Sequence, residues 1–316
     1  MVDLALRSVG GPAGHGRGDT TPRPRRRSRR DGFFRIIPLG PAVALLTVFL
    51  AGPIIYSLYG SLTNTALTGY KAAKPEFIGL ENYANLFSSP EFWKSVWLTV
   101  LFVFASAVIG QNVLGMLLAL LMRSAAKPMR SIVGGLVVCA WVLPEIVAAF
   151  ALYAFFSTGG TLNTMLGWFG LEPTTWLISF PMFAVIMANI WRGTAFSMMV
   201  YNAALAEVPP EITEAAEIDG ASIFQRFFRI TLPMIRRSIS TNLMLTTLQT
   251  LGVFTLIWVM TGGGPGTNSS TLPVLAYQEA FKFSQVGYGT AIATVTLFIG
   301  AIFSIVYIKA LKPEVD

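Results

Sequence analysis

Six long apolar stretches, near residues 36–60, 93–122, 131–156, 181–205, 239–260 and 286–309, constrain this chain more than any other feature. A bilayer core about 30 Å thick takes roughly 20 helical residues to cross, and each stretch is long enough. In hydrocarbon every backbone N–H and C=O must be satisfied within the protein, so the expected fold class is all-α, a polytopic membrane protein with six transmembrane helices. Composition agrees, with 53% hydrophobic and 12% charged residues in a chain of 316. An even number of spans leaves both termini on one side.

Basic residues choose that side, because short flanking loops rich in Lys and Arg stay in the cytoplasm. The N-terminal tail carries Arg25, Arg26, Arg27, Arg29 and Arg30, the loop after the second stretch Arg123, Lys127 and Arg130, and the loop before the fifth Arg226, Arg229, Arg236 and Arg237. Lys309 and Lys312 close the chain, while the opposite loops hold only Lys71, Lys74, Lys94 and Lys282. The termini and the loop before the fifth stretch are therefore expected in the cytoplasm of a multi-pass inner-membrane protein. Residues 1–35 lack apolar periodicity and read as a disordered basic tail that attracts anionic lipid heads. Ser28-Arg29-Arg30 faintly resembles a twin-arginine export signal, but the next stretch is long enough to span and lacks a small-x-small cleavage site, so it is expected to be kept.

Several chemistries are disfavoured. The net charge of +7 sits largely in that tail, so topology explains it better than nucleic-acid binding. Cys139 is the single cysteine and His15 the single histidine, which excludes an intrachain disulfide and makes a structural metal site improbable; Cys139 is expected to pack within the third stretch. No Gly-x-x-x-x-Gly-Lys-Ser/Thr phosphate loop occurs, so this polypeptide is not expected to hydrolyse ATP itself.

A hydrophilic island separates the fourth and fifth stretches. Pro209 and Pro210 suit a first helical turn, where a missing N–H costs little, and Glu211, Glu214 and Glu217 favour the positive end of that helix. Asp219-Gly220 breaks it. Ser222 can cap a second helix on which Ile223, Phe227 and Ile230 recur at helical spacing, and Pro233 opposes direct continuation into the next span. A helix-turn-helix lying across a membrane face is expected.

The island resembles, at every fixed position, the EAA loop of binding-protein-dependent ABC transporter permeases: Glu214-Ala215-Ala216, Asp219-Gly220-Ala221, Phe227, Ile230, Leu232 and Pro233. The resemblance implies a type I importer permease fold, a docking loop over 207–237 within a transmembrane permease domain at 36–311, and a short cytoplasmic end at 312–316. It also implies partners: two ATPase subunits that bind ATP and magnesium, a second homologous permease, and an extracytoplasmic solute-binding protein. This chain itself would carry no cofactor and no enzymatic activity.

Two further segments are similar to sugar-type members. Phe77-Ile78-Gly79-Leu80-Glu81-Asn82-Tyr83 with Phe92-Trp93 resembles their first external loop, although Trp and Tyr also anchor at any membrane interface. The run Thr261-Gly262-Gly263-Gly264-Pro265-Gly266, with Tyr277, Ala280-Phe281 and Gly287-Tyr288-Gly289, resembles the segment before the last span and reads as a tight turn. Ala204, Ala206 and Arg237 depart from the family pattern, which leaves the bend into the docking loop open.

Polar residues inside spans generally face a partner or an aqueous cavity. Asn189, Arg192, Gly193 and Phe196 follow the spacing of one helix face, and Thr246, Gln249 and Thr250 lie on the next span; these are the candidate substrate pathway, by position in sugar-transporting relatives. Interhelical hydrogen bonding is an equal reading for Thr246 and Thr250, and the favoured one for Gln111 and Asn112. Glu145, after Pro144 in the third stretch, is expected to pair with Arg192 or the partner permease, or to lie near the membrane surface. The expected function is import of a sugar or related polyol. Alternatives are a phosphorylated polyol such as glycerol 3-phosphate, suggested by Arg192, an ion-coupled secondary transporter, and, more weakly, a membrane enzyme.

Overall fold

The computed structural model describes residues 39–311. The basic tail with His15, the first residues of the first apolar stretch, and Lys312 with the C-terminal segment lie outside the described residues. Backbone contacts divide the chain at Gly52–Pro53, inside the first helix.

The described residues are helical, and their extended pairing is a single antiparallel bridge between Thr63 and Phe77. Helix α1 (Gly40–Gly60) is a membrane span by length and composition, with none of its best window buried. The short α2 (Glu81–Ser88) leads into the 35-residue α3 (Pro90–Ser124), whose first turn is capped by Ser89 and whose middle, Val103–Gln111, widens to i→i+5 turns. Next come α4 (Lys127–Val142), α5 (Glu145–Phe156) and the span α6 (Pro181–Ala206). Two short helices follow: α7 (Pro210–Ile218), then α8 (Ile223–Arg226), which runs on as Phe227–Thr231 and Leu232–Met234. After them come α9 (Arg236–Leu251), α10 (Thr255–Thr261), α11 (Leu272–Tyr277) and the last span α12 (Val286–Leu311).

The third and fifth apolar stretches are each interrupted. Leu143 and Pro144 take extended ψ values of 136°, so the expected continuous span 131–156 is two helices, α4 and α5, and α4 alone has 16 residues. Proline removes an N–H and disfavours helix in the residue before it, so Leu143-Pro144 breaks the ladder rather than bending it. The fifth stretch bends by 49° between α9 and α10 across Gly252-Val253-Phe254. Among the described residues five helical segments qualify as spans outright, namely α1, α3, α5 taken together with the following short helix as Glu145–Gly167, α6 and α12, and six if that bent pair counts as one. Cys139 is exposed on α4 instead of packed.

Within residues 53–311 three apolar clusters hold the bundle. Phe102, Leu152, Val185, Leu256 and Ile257 join α3, α5, α6 and α10. Met122, Met198, Tyr201, Leu205 and Ile235 pack the ends of α3 and α6 over the entry to α9. Leu86, Phe92, Leu275 and Ile292 tie α2 and α3 to α11 and α12. Outward faces stay apolar, as at Phe104, Leu117 and Leu121 on α3 and Leu297, Phe298 and Ile302 on α12, which suits hydrocarbon as the surrounding solvent.

Two of the quoted loop motifs have local reasons. Asn82 donates to the carbonyls of Ser61 and Thr63, both at 2.8 Å, and so fastens the segment around Tyr83 to the chain leaving α1. The glycine run is a tight turn in which Gly262, Gly263 and Gly266 have φ of 61°, 86° and 60°, a region that disfavours side chains.

Candidate functional site

The island between α6 and α9 is a preformed elbow. Pro209 sits at the N-cap and Pro210 at the first position of α7, with Glu211 in the first turn. At the other end the Asp-Gly-Ala of the motif makes a Schellman cap: the N–H of Gly220 reaches the carbonyl of Glu217 (3.0 Å), and that of Ala221 the carbonyl of Ala216 (2.9 Å). Gly220 takes φ 81°, which is why glycine stands there. Ser222 then opens α8 with a reciprocal capping box, its N–H donating to Gln225 Oε1 (2.8 Å) and its Oγ accepting from Gln225 N (3.4 Å). Arg226 is paired with Glu217 across the elbow, the single ion pair among the described residues.

Pro233 does not end α8. The preceding turns Phe227–Thr231 are widened, with Leu232 N bonding Phe227 O, and the helix reaches Met234 before Ile235 breaks it. A wider turn moves the upstream carbonyl off the proline ring and needs no N–H from it.

The elbow turns an apolar surface outward. Ile218 is 87% exposed, Phe224 76% and Ile223 73%, with Phe228 also open, while Glu214, Ala215 and Asp219 surround them in solvent. Phe227, Ile230 and Leu232 are half-buried, and Thr231 and Ile235 are buried. Ile223 therefore faces away from Phe227 and Ile230, although all three share helical spacing.

Inside the bundle the candidate pathway residues separate into two rows. Asn189, Gly193, Ser197 and Tyr201 recur every fourth residue on α6 and face α3 and α9. Asn189 donates to Ser106 Oγ (2.8 Å) and Thr250 Oγ1 (3.3 Å). Gln111 donates to the carbonyl of Asn189 (3.0 Å), and a Cβ on Gly193 would lie 2.2 Å from the Gln111 amide carbon. Asn112 accepts from Tyr201 Oη and from Asn242 Nδ2, and donates to Thr246 Oγ1 (3.4 Å); Asn242 also donates to Ser197 Oγ (2.9 Å). This is a closed polar seam: Asn189, Thr246 and Thr250 are 3%, 2% and 3% exposed.

Arg192 and Phe196 stand on the adjoining row of α6, both half-buried, and Gln249 is exposed. Phe196 packs on Trp141 of α4 with ring centroids 5.9 Å apart. Arg192 Nε is buried with no hydrogen-bond partner among the described residues, and no ion pair joins it to Glu145. Glu145 instead accepts from the backbone N–H of Leu256 (3.3 Å). Ser106, Ser197, Tyr201 and Asn242 were not among the sequence candidates. The signal for the last three is the four-residue step, 189, 193, 197, 201 on one helix and 242, 246, 250 on the other; Ser106 on α3 has no such signal. Outside the spans, burial lifts the Glu279 carboxyl above the usual carboxylate range, and nearby Glu91 adds to the rise.

Residues 111–315 match the family described as binding-protein-dependent transport system inner membrane component. The chain belongs to that family. Among its relatives, the trehalose/maltose transport system permease protein MalF of Thermococcus litoralis is 34% identical over 287 residues, covering 90% of this chain and 94% of the relative. The sulfoquinovosyl glycerol transport system permease protein SmoG of Agrobacterium fabrum is 34% identical over 290 residues, with 90% and 92% covered. The trehalose transport system permease protein SugA of Mycobacterium tuberculosis is 32% identical over 278 residues, with 86% of each covered. A crystal structure of a bacterial ABC transporter involved in import of the acidic polysaccharide alginate contains a chain that superposes with a TM-score of 0.73 at 26% identity, covering 90% of this chain and 97% of that one. The resemblance read from the EAA loop and the expected importer-permease fold are both borne out, and the chain is a transport component of the membrane.

Proposed function

We propose that this chain is the permease subunit of an ATP-driven importer, passing a sugar or related polyol delivered by an extracytoplasmic solute-binding protein. The observation that carries the reading is the elbow at 207–237, rigid by its own caps and greasy on its outer face, placed directly between two helices of the bundle. Such a surface suits a cleft on an ATPase subunit. The names of the sugar-transporting relatives support the substrate class. The working assembly contains this chain, a second homologous permease and two ATPase subunits, with the termini and elbow in the cytoplasm, as the Lys and Arg distribution favours.

ATP binding by the partner subunits closes them, displaces α7 and α8, and tilts α6 and α9, turning the two permeases toward the solute-binding protein; hydrolysis resets them. To move the assembly almost wholly between states, the two docked conditions must differ by about 5.5 kcal/mol in their preference. Arg192, Phe196 and Gln249 are the pathway residues left outside the closed seam, and they offer a donor, a ring face and an amide for a sugar. Arg192 also supports a second reading, a phosphorylated polyol, because its buried Nε has no acceptor among the described residues.

Uptake into proteoliposomes containing the full complex tests the proposal. It should require ATP and solute-binding protein, and Glu214→Arg should abolish it while leaving the permease inserted. Uptake driven by an ion gradient without ATP, or full transport and unchanged ATPase co-purification with Glu214→Arg, refutes it. Titrating the solute-binding protein with sugars and sugar phosphates separates the two substrate readings.

A further inference from the structure

Both interrupted stretches break near the same carboxylate. Glu145 is the first residue of α5, immediately after the Leu143-Pro144 break, and its Oε1 accepts from the N–H of Leu256 at 3.3 Å, in the first turn of α10 just past the 49° bend. The first N–H groups of any helix lack intrahelical acceptors, and inside a span there is little water to satisfy them. A carboxylate at that end also meets the positive end of two helices at once, its own and α10. Leu256 is 1% exposed, and Ala149 and Leu152 of α5 share one apolar cluster with Leu256, Ile257 and Met260 of α10.

The helix on the other side of the bend has a different attachment. Helix α9 begins at Arg236, separated by Ile235 alone from the helical end of the elbow at Met234, and runs to Leu251. The segment Gly252-Val253-Phe254 therefore separates a helix tied to the docking elbow from one tied to α5.

We infer that Glu145 is a positioning residue for transport: it holds α10 on α5, so that movement of α9 imposed through the elbow is taken up at residues 252–254 instead of dragging α10 along. This rests on the importer reading. Without the carboxylate, α10 follows α9, the far end of the bundle moves at the wrong point of the cycle, and ATP is hydrolysed without matched uptake.

The test uses the full complex in lipid nanodiscs and proteoliposomes with wild type, Glu145→Ala, Glu145→Asp and Glu145→Gln. Amide exchange over residues 255–258, which does not depend on transport, should accelerate about tenfold or more in Glu145→Ala, as expected for losing a hydrogen bond to a charged acceptor. Glu145→Asp, shortened by one methylene, should behave like Ala, whereas Glu145→Gln keeps a neutral oxygen at the same reach and should fall between wild type and Ala. Uptake per ATP hydrolysed should fall about fivefold or more in the Ala and Asp variants, with ATP hydrolysis retained. Unchanged exchange in the Ala variant, or Gln behaving like Ala, overturns the contact; accelerated exchange with normal coupling overturns the positioning role. If Glu145→Ala does not assemble, the Asp and Gln pair decides alone. A wild-type complex without ATP-driven uptake would sink the importer reading, while the exchange data would still judge the contact.

Discussion

Gly115 lies where α3 meets the backbone of α6, and replacing it with alanine should loosen the bundle. A Cβ built there would be 2.4 Å from Ser197 Cβ, 2.9 Å from Met198 N and 3.0 Å from Ser197 C. Carbon atoms settle at about 3.5–4.0 Å, so the helices must part by roughly 1 Å or more, and because two of the three atoms are backbone no side-chain rotation relieves the clash. Overpacking of this kind costs about 1–3 kcal/mol. Parting the helices also stretches the bonds from Tyr201 to Asn112, from Gln111 to the Asn189 carbonyl and from Asn189 to Ser106, each worth about 0.6 kcal/mol inside a membrane bundle. Against this, Gly→Ala in a helix gains about 0.8–1 kcal/mol, leaving a net loss of about 2–4 kcal/mol. Gly135 on α4 supplies the control, since nothing lies within 4 Å of a Cβ there and Gly135→Ala should gain stability or leave it unchanged. Unfolding of the purified protein by graded SDS, followed by loss of helical signal, measures both. A Gly115→Ala midpoint equal to or above that of Gly135→Ala would refute the close-crossing argument.

Ser222→Ala removes the Oγ that caps α8, and should destabilise the elbow by about 1 kcal/mol, read as weaker co-purification of the ATPase subunits with the permease still inserted. Glu279 has its carboxyl raised by burial and by Glu91, so the neutral form suits the fold better than the charged one. For a raised acid, stability is fully present below the ordinary carboxylate range and is lost as pH rises through the raised value. Thermal stability should therefore fall across that window, and Glu279→Gln should flatten the fall; a slope unchanged in the variant would show that another group titrates.

Much of this architecture could be read from residue order because its signals are local. Apolar runs marked α1, α3, α6 and α12 within a few residues, and Pro210, Asp219-Gly220 and Ser222 placed the ends of α7 and α8 through caps that need no distant partner. The misses came from effects that are not local. Proline at 144 could bend or break a helix, and which it does depends on packing against α10. Proline at 233 opposes direct continuation, and the break comes two residues later, at Ile235, because the widened turns before the proline, which leave no mark in the residue types, let the helix run past it. Asn189, Arg192, Gly193 and Phe196 share one face by spacing, yet Asn189 and Gly193 close against Gln111 while Arg192 and Phe196 turn to the adjoining side. Helical spacing groups residues by face without saying what that face meets.

The bonds that shape the elbow close between Ala215 and Arg226, so none of them is lent by the spans above. Its turns are thus shaped by its own residues, and on the docking reading proposed above a partner would meet an element already ordered, so that little ordering entropy is spent on engagement. On that reading the element is a crank arm whose shape is set before any partner arrives.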